Sequence, residues 1–173
     1  RQDYLLVHDL LQFCKGRGYY SYDGFKPGPT GLGDGSKSRL YTGGGYVCSD
    51  GFYDFFVYGT SASRQPIDAI EGDVVRRAAA ERGSGWQGLI VSWGIDNSSF
   101  ELSAEKGRSR APRLNDICRD IFYLQLRAGF ILAPFWLESE ANELADDLSR
   151  SAESGHGEEA FLARTDALAA FLA

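Results

Sequence analysis

Glu71 stands on an apolar stripe. Ile67 lies four residues before it, Val74 three after and Val75 four after, the spacing of one helix face. A carboxylate on a core-facing stripe is costly unless a charge or a metal ion compensates it, or unless it reaches water at a groove edge. Its neighbours Asp68 and Asp73 lie off the stripe and read as solvated. Asp96 ends the apolar run "GLIVSWGID" (88–96), and ligands in open α/β sheets collect at the carboxyl ends of such strands. The same residue opens "DNSS", which is also the composition of an Asx turn. Asp34 begins "DGS", ten residues ahead of "GGY" (44–46). Asp146 and Asp147 are adjacent in "ANELADDLSR" (141–150), and residues one apart on a helix do not share a face. That dipeptide is either a solvated acidic edge or a place where one carboxylate turns inward. The stretch "GLGDGSKS" is not a phosphate loop, because Ser36 precedes Lys37 where a Walker motif needs glycine, and no helical pattern follows.

These acids need elements to hold them. Tyr4, Val7, Leu11 and Cys14 recur at helical spacing, so residues 4–14 are expected to form a helix. A Gly/Pro-rich segment follows, with "YYSYDGF" as a short strand within it, whereas "GPTGL" before Asp34 is poor strand material. "GGYVCSDGFYDFFVYG" (44–59) reads as a hairpin about a Ser-Asp-Gly turn. Residues 66–80 read as a helix opened by Pro66, and residues 88–96 as a strand buried on both faces. Leu114, Ile117, Cys118, Ile121 and Phe122 predict a helix closed by Gly129. "FILAPFWL" (130–137) predicts a strand whose Pro134 suits an edge or a bulge. The short acidic helix comes next, then a Ser/Gly/Glu-rich break and a final amphipathic helix. Antiparallel hairpin elements followed by helix, strand, helix, strand, helix call for a mixed α/β sheet flanked by helices.

Composition narrows the function classes. The 173 residues are 43% hydrophobic and 24% charged, ordinary for one globular domain with a sizeable core. No apolar run approaches a membrane span and no signal-peptide pattern opens the chain. A start at Arg1 with no methionine suggests a piece of a longer polypeptide. Cys14, Cys48 and Cys118 form no metal-ligand spacing, which argues against zinc or a disulfide framework and for a reducing, intracellular setting in cytoplasm or nucleus. A net charge of −6 argues against a nucleic-acid partner, but "EKGRSRAPR" (105–113) gathers Lys106, Arg108, Arg110 and Arg113. Such a cluster either grips a phosphate backbone or is a solvated loop.

Asp-Gly-Ser then Gly-Gly-Tyr, a Glu on the next helix, an Asp ending a buried strand and a final "NELADDLSR" together resemble ribonuclease H. The ending is most similar to ribonuclease H domains of retroelement (DIRS-type, LTR-retrotransposon-like) reverse transcriptase polyproteins. The resemblance spans roughly residues 30–150. It implies a ribonuclease-H-like mixed five-stranded sheet, with Asp34, Glu71, Asp96 and Asp146 converging on two divalent cations. Crowded carboxylates raise one another's pKa, and all-oxygen donors favour Mg²⁺ or Mn²⁺. The implied reaction is two-metal hydrolysis of the RNA strand of an RNA–DNA hybrid, recognised by shape and 2′-hydroxyls. Lys106, Arg108, Arg110, Arg113, Asn97 and Ser36 are the expected nucleic-acid contacts, and the rest of a reverse transcriptase is the expected partner. Residues 1–29 would end an upstream connection, and 151–173 would be a linker and C-terminal helix. Asp23 is an alternative first ligand. Trp136 stands about where related domains carry a histidine, and neither His8 nor His156 matches that place. The alternatives are a catalytically degraded domain that binds nucleic acid or scaffolds an assembly, and another nuclease or transposase of the same superfold.

Overall fold

The computed structural model describes residues 24–59, 61–154 and 156–173. The helix expected at 4–14, most of "YYSYDGF", and Asp23 with it, lie outside these residues.

Five strands form one sheet: β1 (Lys26–Lys37), β2 (Thr42–Cys48), β3 (Tyr53–Val57), β4 (Leu89–Ile95) and β5 (Ile131–Trp136), in the order β3-β2-β1-β4-β5. The β1–β2 and β2–β3 pairs are antiparallel, and β4 and β5 extend the sheet in parallel with β1. The helices are α1 (Ile67–Arg82), α2 (Ser98–Glu105), α3 (Pro112–Ala128), α4 (Glu143–Ser149), α5 (Ser151–Ser154), α6 (Gly157–Ala163) and α7 (Thr165–Leu172). The expected mixed five-stranded sheet with flanking helices is what forms.

Each face of the sheet has its own core. Val74, Val75 and Ala78 of α1 and Ile117 and Ile121 of α3 pack on Tyr46, Val91, Trp93 and Ile95. On the other face Leu144, Ala145 and Leu148 of α4 meet Leu32, Val47 and Phe161. The C-terminal segment, predicted as one helix, folds as the short α6 and α7, and Phe161 of α6 is fully buried. At the other end β1 opens at Lys26 and runs through "GPTGL".

The strand over "GPTGL" differs from the sequence expectation, and close packing explains it. A Cβ on Gly31 would lie 2.4 Å from the Trp93 ring, so glycine makes room for a fully buried tryptophan of the core. Strand preference here reflects what a pleated surface must pack against rather than intrinsic propensity. "DNSS" does make an Asx-type turn, with Asn97 rather than Asp96 as its acceptor, and the turn opens α2. The Asn97 side chain accepts from the amides of Ser99 (3.0 Å) and Phe100 (3.2 Å), an N-cap that satisfies two orphan donors. The basic segment thereby becomes the connector between α2 and α3. Gly129 closes α3 at φ 72°, and Pro134 lies on the edge strand β5, where its missing N–H costs little.

Candidate metal centre

Three elements deliver one carboxylate each. Asp34 sits on β1 opposite Gly45, and strand alternation turns Leu32, Asp34 and Ser36 toward the face that carries α4. Asp96 follows the last residue of β4, whose parallel pairing with β1 brings that strand end alongside Asp34. The Ser139 hydroxyl donates to Asp96 Oδ2 at 3.3 Å. Glu71 comes from the first half of α1, and Gly35 allows that helix to settle. A Cβ on Gly35 would lie 2.8 Å from Ile70 Cγ2 and 3.1 Å from the Glu71 amide nitrogen. The outcome is that one carboxylate oxygen from each of Asp34, Glu71 and Asp96 lies within 4.8 Å of the others.

Crowding and burial change their acidity. Glu71 is 9% exposed, and burial, then the charges of Asp96 and Asp34, push its carboxyl up to about 8 against a hydrogen bond from Asn97. Asp34 is 7% exposed and is pushed up to about 6, mainly by burial and partly by Asp96 and Asp146. A 2.6 Å hydrogen bond donated by the Ser149 hydroxyl opposes that rise, as does the charge of Arg150. Glu71 Oε2 is buried without a hydrogen-bond partner. A buried carboxylate oxygen with an open lone pair calls for a proton, a hydrogen-bond donor or a cation.

The remaining sequence candidates are placed as follows. Asp146 lies near enough to act on Asp34, yet it is outside the three-acid cluster and pairs with Arg150 at 2.7 Å. The resemblance singles out Asp146 of the adjacent pair, yet Asp147 is the more buried side chain, 16% exposed against 40% for Asp146. It is bonded to Arg164, which also reaches Glu143 at 2.5 Å, because the C-terminal helices fold back over α4. Asp73 corrects the reading from periodicity. It is 6% exposed, clamped by Arg76 at 2.7 Å and Arg77 at 3.2 Å. Burial pushes its carboxyl up, but the two guanidinium groups win and hold it below the ordinary range.

Ser36, expected to touch nucleic acid, is 9% exposed and spends its hydroxyl on the Ser149 carbonyl at 2.7 Å, since its register places it beneath α4. Asn97 is occupied by the α2 cap and by Glu71. Lys106, Arg108, Arg110 and Arg113 are exposed, the first three on the α2–α3 connector and Arg113 in the first turn of α3. His156 is exposed at the start of α6, 3.1 Å from Glu159. Sequence reasoning missed Ser149 and Asn142 as parts of this region. Asn142, 1% exposed, donates to the Gly33 carbonyl at 3.2 Å. Both belong to "NELADDLSR", and their place in that motif was the available signal.

An all-carboxylate donor set with an orphaned buried oxygen fits a hard divalent cation. Among the described residues no helix is long and apolar enough to cross a membrane. No protein-family model matches the chain, and no curated protein matches it. Solved structures do. RNase H1 from the halophilic archaeon Halobacterium salinarum NRC-1 superposes with a TM-score of 0.61 at 17% identity, over 73% of this chain and 98% of that one. The N-terminal RNase H domain of Rv2228c from Mycobacterium tuberculosis, fused to maltose-binding protein, gives 0.59 at 14% identity, over 77% and 99%. LC11-RNase H1, in complex with an RNA/DNA hybrid, gives 0.59 at 17% identity, over 72% and 95%. The fold is thus ribonuclease-H-like.

Proposed function

We propose that this chain is a divalent-cation-dependent ribonuclease H that hydrolyses the RNA strand of RNA–DNA hybrids, as part of a retroelement reverse transcriptase. The observation that carries the reading is the meeting of Asp34, Glu71 and Asp96 within 4.8 Å. It occurs on a fold shared with a protein solved on an RNA/DNA hybrid. Asp34, Glu71 and Asp96 would hold the cations, with Asp146 contributing from the α4 side. A pair of Mg²⁺ or Mn²⁺ ions, when bound, supplies the charge and the activated water for an in-line phosphoryl displacement.

The chain's own residues do the rest. Burial of Asp34 and Glu71 makes a proton and a cation compete for the same oxygens, so loading displaces protons near neutral pH. The net charge of −6 repels a polyanion over most of the surface. Lys106, Arg108, Arg110 and Arg113 are an exposed cluster of the opposite sign, suited to a phosphate backbone. The "NELADDLSR" ending supports the retroelement assignment. On this reading residues 30–150 are the body of the ribonuclease-H-like unit, which β1 extends back to Lys26 and the packing of Phe161 extends forward, and the residues before Lys26 end an upstream connection.

The test is incubation of end-labelled RNA–DNA hybrid with the protein and Mg²⁺ or Mn²⁺. RNA-strand cleavage abolished by EDTA is expected. Cleavage that survives EDTA, or cutting of duplex DNA with hybrid intact, overturns the proposal.

A further inference from the structure

Ser149 is a small residue with an unusual set of connections. It is fully buried at the C-terminal end of α4. Its hydroxyl donates to Asp34 Oδ2 at 2.6 Å, and it also lies 2.9 Å from the Asp146 carbonyl, the local acceptor a helical serine ordinarily uses. The shorter contact goes across the fold to the charged group, and hydrogen bonds to ionised acceptors are the stronger kind. Its own carbonyl accepts from two hydroxyls, Ser36 at 2.7 Å and Tyr41 at 2.7 Å. One residue at the end of α4 is therefore tied to β1 twice and to the β1–β2 connection once.

The sheet is built to receive it. A Cβ on Gly45 would lie 2.7 Å from the Ser149 amide nitrogen, and one on Gly43 would lie 2.5 Å from the Ser149 carbonyl oxygen. Gly43 and Gly45 of "TGGGY" on β2 clear the space into which the helix end settles. Helix packing alone does not require this approach, because Leu144, Ala145 and Leu148 already fill the apolar contact.

We infer that Ser149 is the positioning residue for Asp34, fixing its carboxylate so that acceptor capacity stays directed at Glu71 and Asp96. This rests on the proposed cation-binding reading of that cluster. A carboxylate has two oxygens with two lone pairs each, so one donated bond sets the rotamer and leaves room for a cation. A lysine or arginine in the same place would hold the carboxylate equally well but would repel the ion. A neutral hydroxyl orients without that competition.

The test is a substrate-free Mn²⁺ titration by calorimetry on wild type, Ser149→Ala, Asp34→Asn and the double variant. Loss of a group that orients a ligand costs about 10–100-fold in metal affinity, and that loss is expected for Ser149→Ala. The double variant should bind as Asp34→Asn alone does, because Ser149 acts through Asp34. Unchanged affinity in Ser149→Ala, or losses that multiply in the double variant, would overturn the inference. Should wild type bind no Mn²⁺, the cation reading fails, and a crystal structure of Ser149→Ala decides this inference separately. A rotated Asp34 carboxylate supports it and an unmoved one overturns it.

Discussion

Replacing Glu71 by Gln should make the cation-free protein more stable as pH rises, although it removes a group the fold has enclosed. The Glu71 carboxyl ordinarily titrates at 4.5 and is pushed up to about 8 by burial and by Asp96 and Asp34. The folded chain therefore holds a proton that the unfolded chain has released. Stability falls as pH rises between those two values. Asp34 contributes in the same direction, but only up to about 6. From about pH 6 to about 7.5 the slope then belongs mainly to Glu71, at about 1.4 kcal/mol per pH unit. The wild type should lose about 2 kcal/mol over that interval, and in a chain of this size each kcal/mol moves Tm by about 2–4 °C. In EDTA its Tm should fall by about 4–8 °C from pH 6 to 7.5, whereas Glu71→Gln should stay nearly flat. Adding Mg²⁺ at the upper pH should restore the wild-type Tm by mass action and leave the variant almost unmoved. Parallel Tm curves for the two proteins in EDTA would refute the reasoning. They would mean that Glu71 is hydrated and ionised in the folded state, and the argument for a cation at its unpartnered oxygen would go with it.

Asp96→Asn should lower hybrid cleavage by more than about a hundredfold, beyond what is lost behind a ligand, while the cation-free Tm holds or rises. Steady-state cleavage and melting in EDTA check it together. Replacing Lys106, Arg108 and Arg110 together should weaken hybrid binding about equally across sequences. The slope of log Kd against log salt should flatten by about 2–3, and an unchanged slope would return the segment to a solvated loop. Asp146→Asn should lower turnover on the order of tenfold with little effect on Tm, because its partner Arg150 is an exposed ion pair. Asp147→Asn should do the reverse, lowering Tm while turnover per folded molecule is kept, since Asp147 anchors Arg164 of the C-terminal helices. An exchange of those two phenotypes would place the functional acid one residue later.

The sequence carried the elements whose pattern is local. The apolar run into Asp96, the stripe through Glu71 and the glycine stop of α3 all state their structure within a few residues. Asp34 was harder, because "GPTGLGDGS" has weak strand propensity and its glycines answer to partners far along the chain. Gly31 answers to Trp93, Gly35 to Glu71, and Gly45 on the neighbouring strand to Ser149. Periodicity misjudged Asp73, and the resemblance to the family ending singled out Asp146 although Asp147 is the more enclosed; Asp73 and Asp147 are both largely buried. The cause is the same in each case. An arginine supplied by tertiary packing, or from the next turn, makes burial of a carboxylate tolerable, and a helical wheel does not register it.

That difference separates two kinds of buried acid in this fold. Asp73 has its guanidinium partners and is held ionised, so it needs nothing further from solution. Glu71 is as deeply enclosed, faces two other carboxylates, and keeps one oxygen unpartnered. Retaining an acid in that setting costs stability at neutral pH, which a chain selected for stability alone would remove by an isosteric amide. The acid that arginine satisfies is structural, and the acid left unsatisfied is the one that the proposed function assigns to a cation.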